Sequence, residues 1–179
     1  MTMNKTKRSD VDVLTAIRDR RSIRRYTSEP VDDDTLHAIL KSGLCAPTAM
    51  NRRPFHFVVI KNPEMLAQLA AGKKYARMLA HARAGIVICG DNTVEDRPEH
   101  LFADCYAATQ NMLLAIHGLH LGGVWLGVTV ESEWYHLLQE KLKLPANIVP
   151  TAVIALGHPA EERPLPETWE SEKIHYETW

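Results

Sequence analysis

Residues 99–127 read EHLFADCYAATQNMLLAIHGLHLGGVWLG, and this stretch decides what kind of domain the chain can build. Leu101, Phe102, Cys105, Tyr106, Ala108, Met112, Leu113 and Ile116 recur at helical spacing on more than one face. A helix apolar nearly all round is central rather than superficial. Over residues 99–120, at about 1.5 Å per residue, it spans roughly 30 Å, the width of a domain. Gly122 and Gly123 close that unit, and Val124 to Val130 start extended before the glycine signal weakens them. Three glycines around Trp125 suggest close approach of backbone to a ligand or to a helix. The plainer reading is tight packing with Trp125 in the core.

Working outward, Phe55 to Ile60, Gly85 to Cys89 and Thr151 to Leu156 read as strands. Helices fill the intervals: 10–20 with Asp10 as cap and Val11, Leu14 and Ile17 as its stripe; a second after Asp32, Asp33 and Asp34, with Leu36, Ile39 and Leu40 inward and Gly43 as its stop. Glu64 to Ala71 is a third, broken near Gly72 and resumed through Leu79, and Trp134 to Leu142 is a fourth. No GxGxxG follows an early strand and no GxxxxGK[ST] occurs, so the pattern is a mixed α+β domain with helices packed around one sheet. Residues 91–98 read as a polar, mobile loop. The stretch after Gly157 carries three prolines and also Trp169, Ile174, Tyr176 and Trp179, so it needs a surface to cover.

The whole chain supports one such domain. Its 179 residues are 45% apolar and 24% charged, which excludes a disordered, collagenous or disulfide-dense protein. Twenty-one Lys and Arg against 22 Asp and Glu give a net charge of −1, no bulk pull toward nucleic acid or acidic membrane. Cys45, Cys89 and Cys105 share no metal spacing and read as reduced core residues of a cytoplasmic protein. No secretory leader and no membrane span is expected. Nine histidines include no HExxH, and no GxSxG elbow appears.

Two further segments carry chemistry. Arg18, Arg20, Arg21, Arg24 and Arg25 fall within eight residues, with Ser22 among them. Guanidinium groups this close repel unless an anion offsets them, and their planar forks suit phosphate. Either they hold a phosphate, or they form a solvated edge paired with the acidic run 32–34. Residues 45–54, CAPTAMNRRP, form a loop stiffened by Pro47 and Pro54, in which Thr48 and Asn51 could read the edge of a polar heterocycle or simply make a turn.

In this order, RRSIRRY, APTAMNRRPF and AATQNMLLAIHGLHLGGVWLG, with HYETW at the end, resemble the flavin-dependent nitroreductase family, over residues 11 to 158. The resemblance implies a nitroreductase-like α+β fold with a central, mainly antiparallel sheet flanked by helices. It implies one FMN-binding domain over residues 1–179, with a flexible 1–9. It also implies an intertwined homodimer in which residues 158–179 cross to the partner. FMN would lie at the interface, two per dimer. Arg20, Arg21 and Ser22 match the segment that holds the FMN phosphate and ribityl chain, and Arg24 another phosphate-side position. Pro47, Thr48, Ala49 and Asn51 match the loop that reaches the flavin from the partner. Leu126 and Gly127 match the backbone near the reactive ring nitrogen, with Gly123 on the same wall.

The implied activity is transfer from NAD(P)H, as co-substrate, through FMN to nitroaromatic, quinone or flavin-type acceptors, by a ping-pong scheme without an obvious acid–base residue. No nucleic acid, membrane or metal enters it. The alternatives are a non-catalytic flavin-binding dimer and a flavin-degrading or dehalogenating relative. The chain departs from the family where Arg53 stands for glutamine and Phe55 for tryptophan, which adds charge near the proposed ring edge. It also lacks a basic pair before its closing segment, where Glu167 and Thr168 stand instead. Arg163, Lys173, Lys73 and Lys74 are the candidates to replace it. With only 91–98 and 66–80 able to cover the flavin, an open site and broad acceptor range are expected.

Overall fold

The computed structural model describes residues 9–165 and 169–179. Residues 1–8, most of the flexible start expected from sequence, and Glu167 and Thr168 lie outside the described residues. The helices are α1 (Val13–Asp19), α2 (Asp33–Leu44), α3 (Pro63–Ala71), α4 (Pro98–Gly118) and α5 (Glu133–Leu142). The strands are β1 (Phe55–Ile60), β2 (Ala84–Asp91), β3 (Gly122–Gly127) and β4 (Ile148–Gly157). Short 3₁₀ helices occupy Ala49–Asn51, Lys74–His81 and Ser171–Lys173.

The four strands form one sheet in the order β1-β2-β4-β3, every pair antiparallel. Alternation sends successive residues to opposite faces. Ile86, Ile88, Ile154 and Leu156 therefore pack with Leu36, Ile39, Met112 and Ile116 of α2 and α4. Val87, Cys89, Val153 and Ala155 pack with Leu66, Leu69, Trp134 and Leu138 of α3 and α5. Covered on both faces, β2 and β4 are apolar at nearly every position, which is why they read as continuous runs in the sequence.

Local chemistry sets the helix ends. The side chains of Asp12, Asp32, Asn62 and Ser132 accept backbone N–H groups at the starts of α1, α2, α3 and α5. Pro63 and Pro98 occupy first turns, where no donor is lost.

Several expectations are corrected. Asp12, not Asp10, caps α1, because Asp10 is turned to His120 at 2.8 Å. Gly43 does not stop α2 but lies inside it, where a Cβ would come within 2.9 Å of Met112 Cγ in α4. Cys45 is exposed, whereas Cys89 and Cys105 are buried. Of the stripe expected for α1, Leu14 and Ile17 project outward, as does Val13, while Val11 lies half-buried ahead of the helix. Only one stripe of α4 is buried in this chain, Leu101, Asp104, Cys105, Ala108, Thr109, Met112, Leu113 and Ile116, while Tyr106 stays open on the other side.

Gly122 and Gly123 do not end a unit; they begin the edge strand β3. The cause is close approach. A Cβ on Gly122 would fall 2.6 Å from Ile23 Cγ2, and one on Gly123 would fall 3.2 Å from Ile116 Cγ2. The arginine-rich segment thereby lies against the β3 edge, with Ser22 bridged to Gly123 and Ile23 N–H donating to the Gly123 carbonyl at 3.1 Å. Residues 91–98 are a packed corner rather than a mobile loop. Asp91 accepts from Thr93 and Asn147, and the Glu95 side chain has no exposed surface.

Candidate functional site

The segment 20–26 is held by backbone on both sides. Besides the bridge to β3, Thr27 N–H donates to the His158 carbonyl and Ala160 N–H to the Arg25 carbonyl. Tyr26 Oη donates to the carbonyls of Ile23 and Ala155, and burial raises its pKa. With the backbone fixed, the arginine side chains cannot scatter.

Arg20, Arg21, Ser22 and Arg24, with Arg163 and Pro164, line a cavity of about 500 Å³. Arg21 donates from Nε to the Pro164 carbonyl and from Nη1 to the carbonyls of Arg18 and Arg20, at 3.1, 2.7 and 2.6 Å. Its Nη2 is buried with no partner among the described residues. Burial, and then the Arg21 charge beside it, lower the Arg20 pKa. The Ser22 hydroxyl has no hydrogen-bond partner among the described residues, although its carbonyl accepts from Arg24.

Within the acidic run 32–34, Asp33 pairs with Lys61 at 2.7 Å and Asp32 caps α2. The acids near the cluster include Asp19, which pairs with Arg18 at 2.6 Å, and Glu161. Glu161 accepts the Arg24 backbone N–H at 2.6 Å, which is the main cause of its lowered pKa, and it pairs with Arg163 at 2.8 Å. A buried unpaired donor beside like charges is unfavourable until an anion arrives.

Arg24 also lines an adjoining cavity of about 580 Å³ with Lys73, Lys74, Tyr75, Arg77 and the strand Val124–Gly127. Lys73 Nζ donates to the Gly127 carbonyl and sits 4.5 Å from the Trp134 ring centroid. Desolvation there lowers its pKa. A Cβ on Gly127 would meet no atom within 4 Å, so this wall is open backbone. Leu126 is buried; Trp125 is half-buried against Tyr106, ring to ring at 5.1 Å, instead of lying in the core.

The loop of Pro47, Thr48, Ala49 and Asn51 is elsewhere. It feeds β1, the far edge of the sheet from β3, across roughly 14 Å of strand spacing. Met50, Asn51 and Arg53 have φ of 50°, 55° and 56°, a region that side-chain-bearing residues avoid. Thr48 Oγ1 accepts Arg53 N–H and Asp104 Oδ1 accepts Ala49 N–H. The Asn51 side chain is exposed and unpartnered among the described residues. The Arg53 guanidinium donates to the Leu44 carbonyl at 2.7 Å and lies 5.4 Å from the Phe55 ring centroid.

Two residues escaped the sequence reading. Arg77, unlike the anticipated Lys73 and Lys74, showed only as scattered charge, because 3₁₀ geometry has no long period to reveal a face. Glu95 sat in a polar stretch whose composition suggested solvent. Of the candidates for the missing basic pair, Lys173 is paired with Glu170, Arg163 is paired with Glu161 and lines the arginine cavity, and Lys73 and Lys74 line the adjoining one. Among the described residues no three His, Cys, Asp or Glu side chains could share a metal. None of the described helices is long and apolar enough to cross a membrane.

The model of the nitroreductase family matches residues 17–73 and 67–158, which include the arginine segment, the 47–51 loop and β3. This chain belongs to the nitroreductase family. A relative from Methanothermobacter thermautotrophicus, provisionally named an NADH dehydrogenase/NAD(P)H nitroreductase, is 38% identical over 171 residues, covering 96% of this chain and 90% of the relative. A solved structure of the same provisional name from Parabacteroides distasonis superposes with a TM-score of 0.89 at 33% identity, over 93% of this chain and 98% of that one. A provisionally named nitroreductase from Desulfovibrio desulfuricans, solved in complex with FMN, gives 0.83 at 36% identity, over 96% and 99%. The nitroreductase fold expected from sequence, an antiparallel sheet between helices, is the one present.

Proposed function

We propose that this nitroreductase is an FMN-dependent NAD(P)H oxidoreductase acting as a homodimer. The observation that carries the reading is the buried Nη2 of Arg21, without a partner among the described residues, in a cavity that Arg20, Ser22 and Arg24 also line. That donor set fits a phosphate monoester: planar guanidinium forks and a hydroxyl with no partner among the described residues. Arg20, Arg21, Ser22 and Arg24 would hold the phosphate and ribityl chain, and Gly123, Leu126 and Gly127 would form the wall beside the ring. FMN when bound accepts a hydride from NAD(P)H and passes electrons to nitroaromatic, quinone or flavin-type acceptors in alternating half-reactions.

The chain's own residues then have three tasks. The arginines bind and orient. The open Gly127 backbone admits a flat ring at close range, which a side chain would block. Lys73, Lys74 and Arg77 place positive charge along the adjoining cavity, where it favours an anionic reduced ring. No side chain is assigned to proton transfer, and the protons that the acceptor takes up beyond the hydride would come from solvent.

Pro47, Thr48, Ala49 and Asn51 sit on the opposite edge of the sheet from this cavity. A second copy, not the same chain, would have to bring them to it. The exposed α1 stripe and the exposed Trp169, Ile174, Tyr176 and Trp179 supply apolar surface for that contact. The test is anaerobic. Purified protein loaded with FMN is mixed with NADH and with NADPH while the flavin absorbance is followed, and an acceptor panel is then added. Bleaching by either nucleotide and recovery with acceptor is the expected result. Retained FMN that neither nucleotide reduces would leave a flavin-binding module, and protein that takes up no FMN would end the assignment.

A further inference from the structure

The loop that feeds β1 has a shape that its own residues do not favour. Three side-chain-bearing residues within four positions, Met50, Asn51 and Arg53, take left-handed backbone angles. Such a shape persists only where the surroundings over-determine it. Two carboxylates from a distant part of the chain supply that restraint, and both are more than nine-tenths buried. Asp104, in the middle of α4, accepts the Ala49 N–H at 3.0 Å on one oxygen and leaves the other buried without a partner among the described residues.

Glu95 has no exposed surface, and it is already satisfied within its own corner. Arg97 donates its backbone N–H and its Nε to Oε1 at 3.2 and 3.0 Å. Yet Oε2 also faces Arg52 Nη1 at 3.3 Å, with His100 Nδ1 at 4.0 Å. Arg52 immediately follows Asn51. The second contact therefore adds nothing that the corner itself requires, and what it fixes is the loop.

We infer that Glu95 and Asp104 are positioning residues for the loop of residues 48–53, and that through Arg52 and the Ala49 N–H they set where Asn51 is presented. The inference rests on the proposed flavin role of that loop. The two ties act at different points of the strained turn: Asp104 holds its entry at Ala49, and Glu95 holds Arg52 between Asn51 and Arg53. A loop tied this way meets its ligand already shaped, so less ordering is lost on binding. The packed 91–98 corner thus acts as a support for the loop.

Arg52→Met breaks the Glu95 tie at a partly exposed side chain and leaves the Glu95–Arg97 pair in place. The expected result is faster amide exchange across residues 48–53 and FMN binding weakened about tenfold, as the ion pairs of Arg52 with the buried Glu95 and the exposed Asp96 are lost. A shifted visible flavin band and a nearly unchanged melting temperature should accompany it. Arg52→Lys, which keeps a cation for Glu95, should restore most of the affinity. Asp104→Leu should accelerate exchange at the Ala49 amide.

Wild-type affinity and spectrum in Arg52→Met would overturn the inference. So would weakened FMN binding with no change in loop exchange, which would mean that Arg52 touches the ligand itself. If the unaltered protein takes up no FMN, the proposed function fails. The exchange measurement then still decides whether the ties exist, and unchanged exchange in Arg52→Met removes them.

Discussion

Arg21 directs its Nε and Nη1 donors to the carbonyls of Pro164, Arg18 and Arg20 and keeps Nη2 buried and without a partner among the described residues. An unsatisfied buried donor costs about 1–3 kcal/mol, which an anion at this point would return. Arg21→Met should therefore lower FMN affinity at least tenfold, measured by flavin fluorescence titration, while the melting temperature moves little. Arg21→Lys should not rescue it, because a single ammonium cannot replace the fork. At the thiols, burial raises the pKa of Cys89 and of Cys105 to about 12. Both should resist a thiol-reactive disulfide reagent in the native protein and react only on unfolding. Glu95 behaves oppositely. Hydrogen bonds from Arg97 come first, then the Arg52 charge and others, and they hold its pKa below the ordinary 4.5 against the cost of burial. Arg97, Arg52 and His100 face it, with Asp96 close to Arg52. Its stabilising contribution is thus complete above the unfolded value and is lost as pH falls through the lower folded one. Denaturation of wild type and Glu95→Gln, compared from about pH 7 to about pH 3, should show the widest gap at neutrality and its closure in acid.

Among the elements, β3 joins stability to the site. Gly122 permits Ile23 to lie on it, and Gly127 faces open space. Gly122→Ala should push the 20–26 segment off the strand, destabilise by about 1–3 kcal/mol and weaken FMN binding together. Gly127→Ala should leave the melting temperature unchanged and weaken FMN binding alone. Equal behaviour of the two in calorimetry and flavin titration would mean that the wall is not where the ring sits. Most elements were legible in advance. β2 and β4 are short apolar runs, and α2, α3 and α5 carry one stripe each, because burial on sheet faces imposes those periods directly. The edge strand was not legible from Gly122 onward, since its glycines answer to Ile23 and Ile116, which lie elsewhere in the chain. Nor was the orientation of α1, whose apolar residues fit the helical period and yet face outward.

For the molecule as a whole, surface that a single chain leaves open is the main clue to assembly. Val13, Leu14, Ile17, Tyr106, Trp169, Ile174, Tyr176 and Trp179 are all exposed. Sedimentation should give a dimer. Removal of residues 165–179 should shift it toward monomer and reduce FMN retention, because each cavity would then lack a stable partner loop. A full-length monomer that binds FMN tightly would exclude the shared site.

The sequence by itself determined the element types, the three motifs that mark the family, and the concentration of guanidinium groups, since periodicity, capping and local charge are properties of neighbouring residues. Only the tertiary structure decided that the arginine segment and the 47–51 loop occupy opposite sheet edges, that Arg21 keeps one donor without a partner among the described residues, and that Glu95 is buried. Strand order and the burial of a charge depend on which distant segments meet, and no local pattern in the chain encodes that meeting.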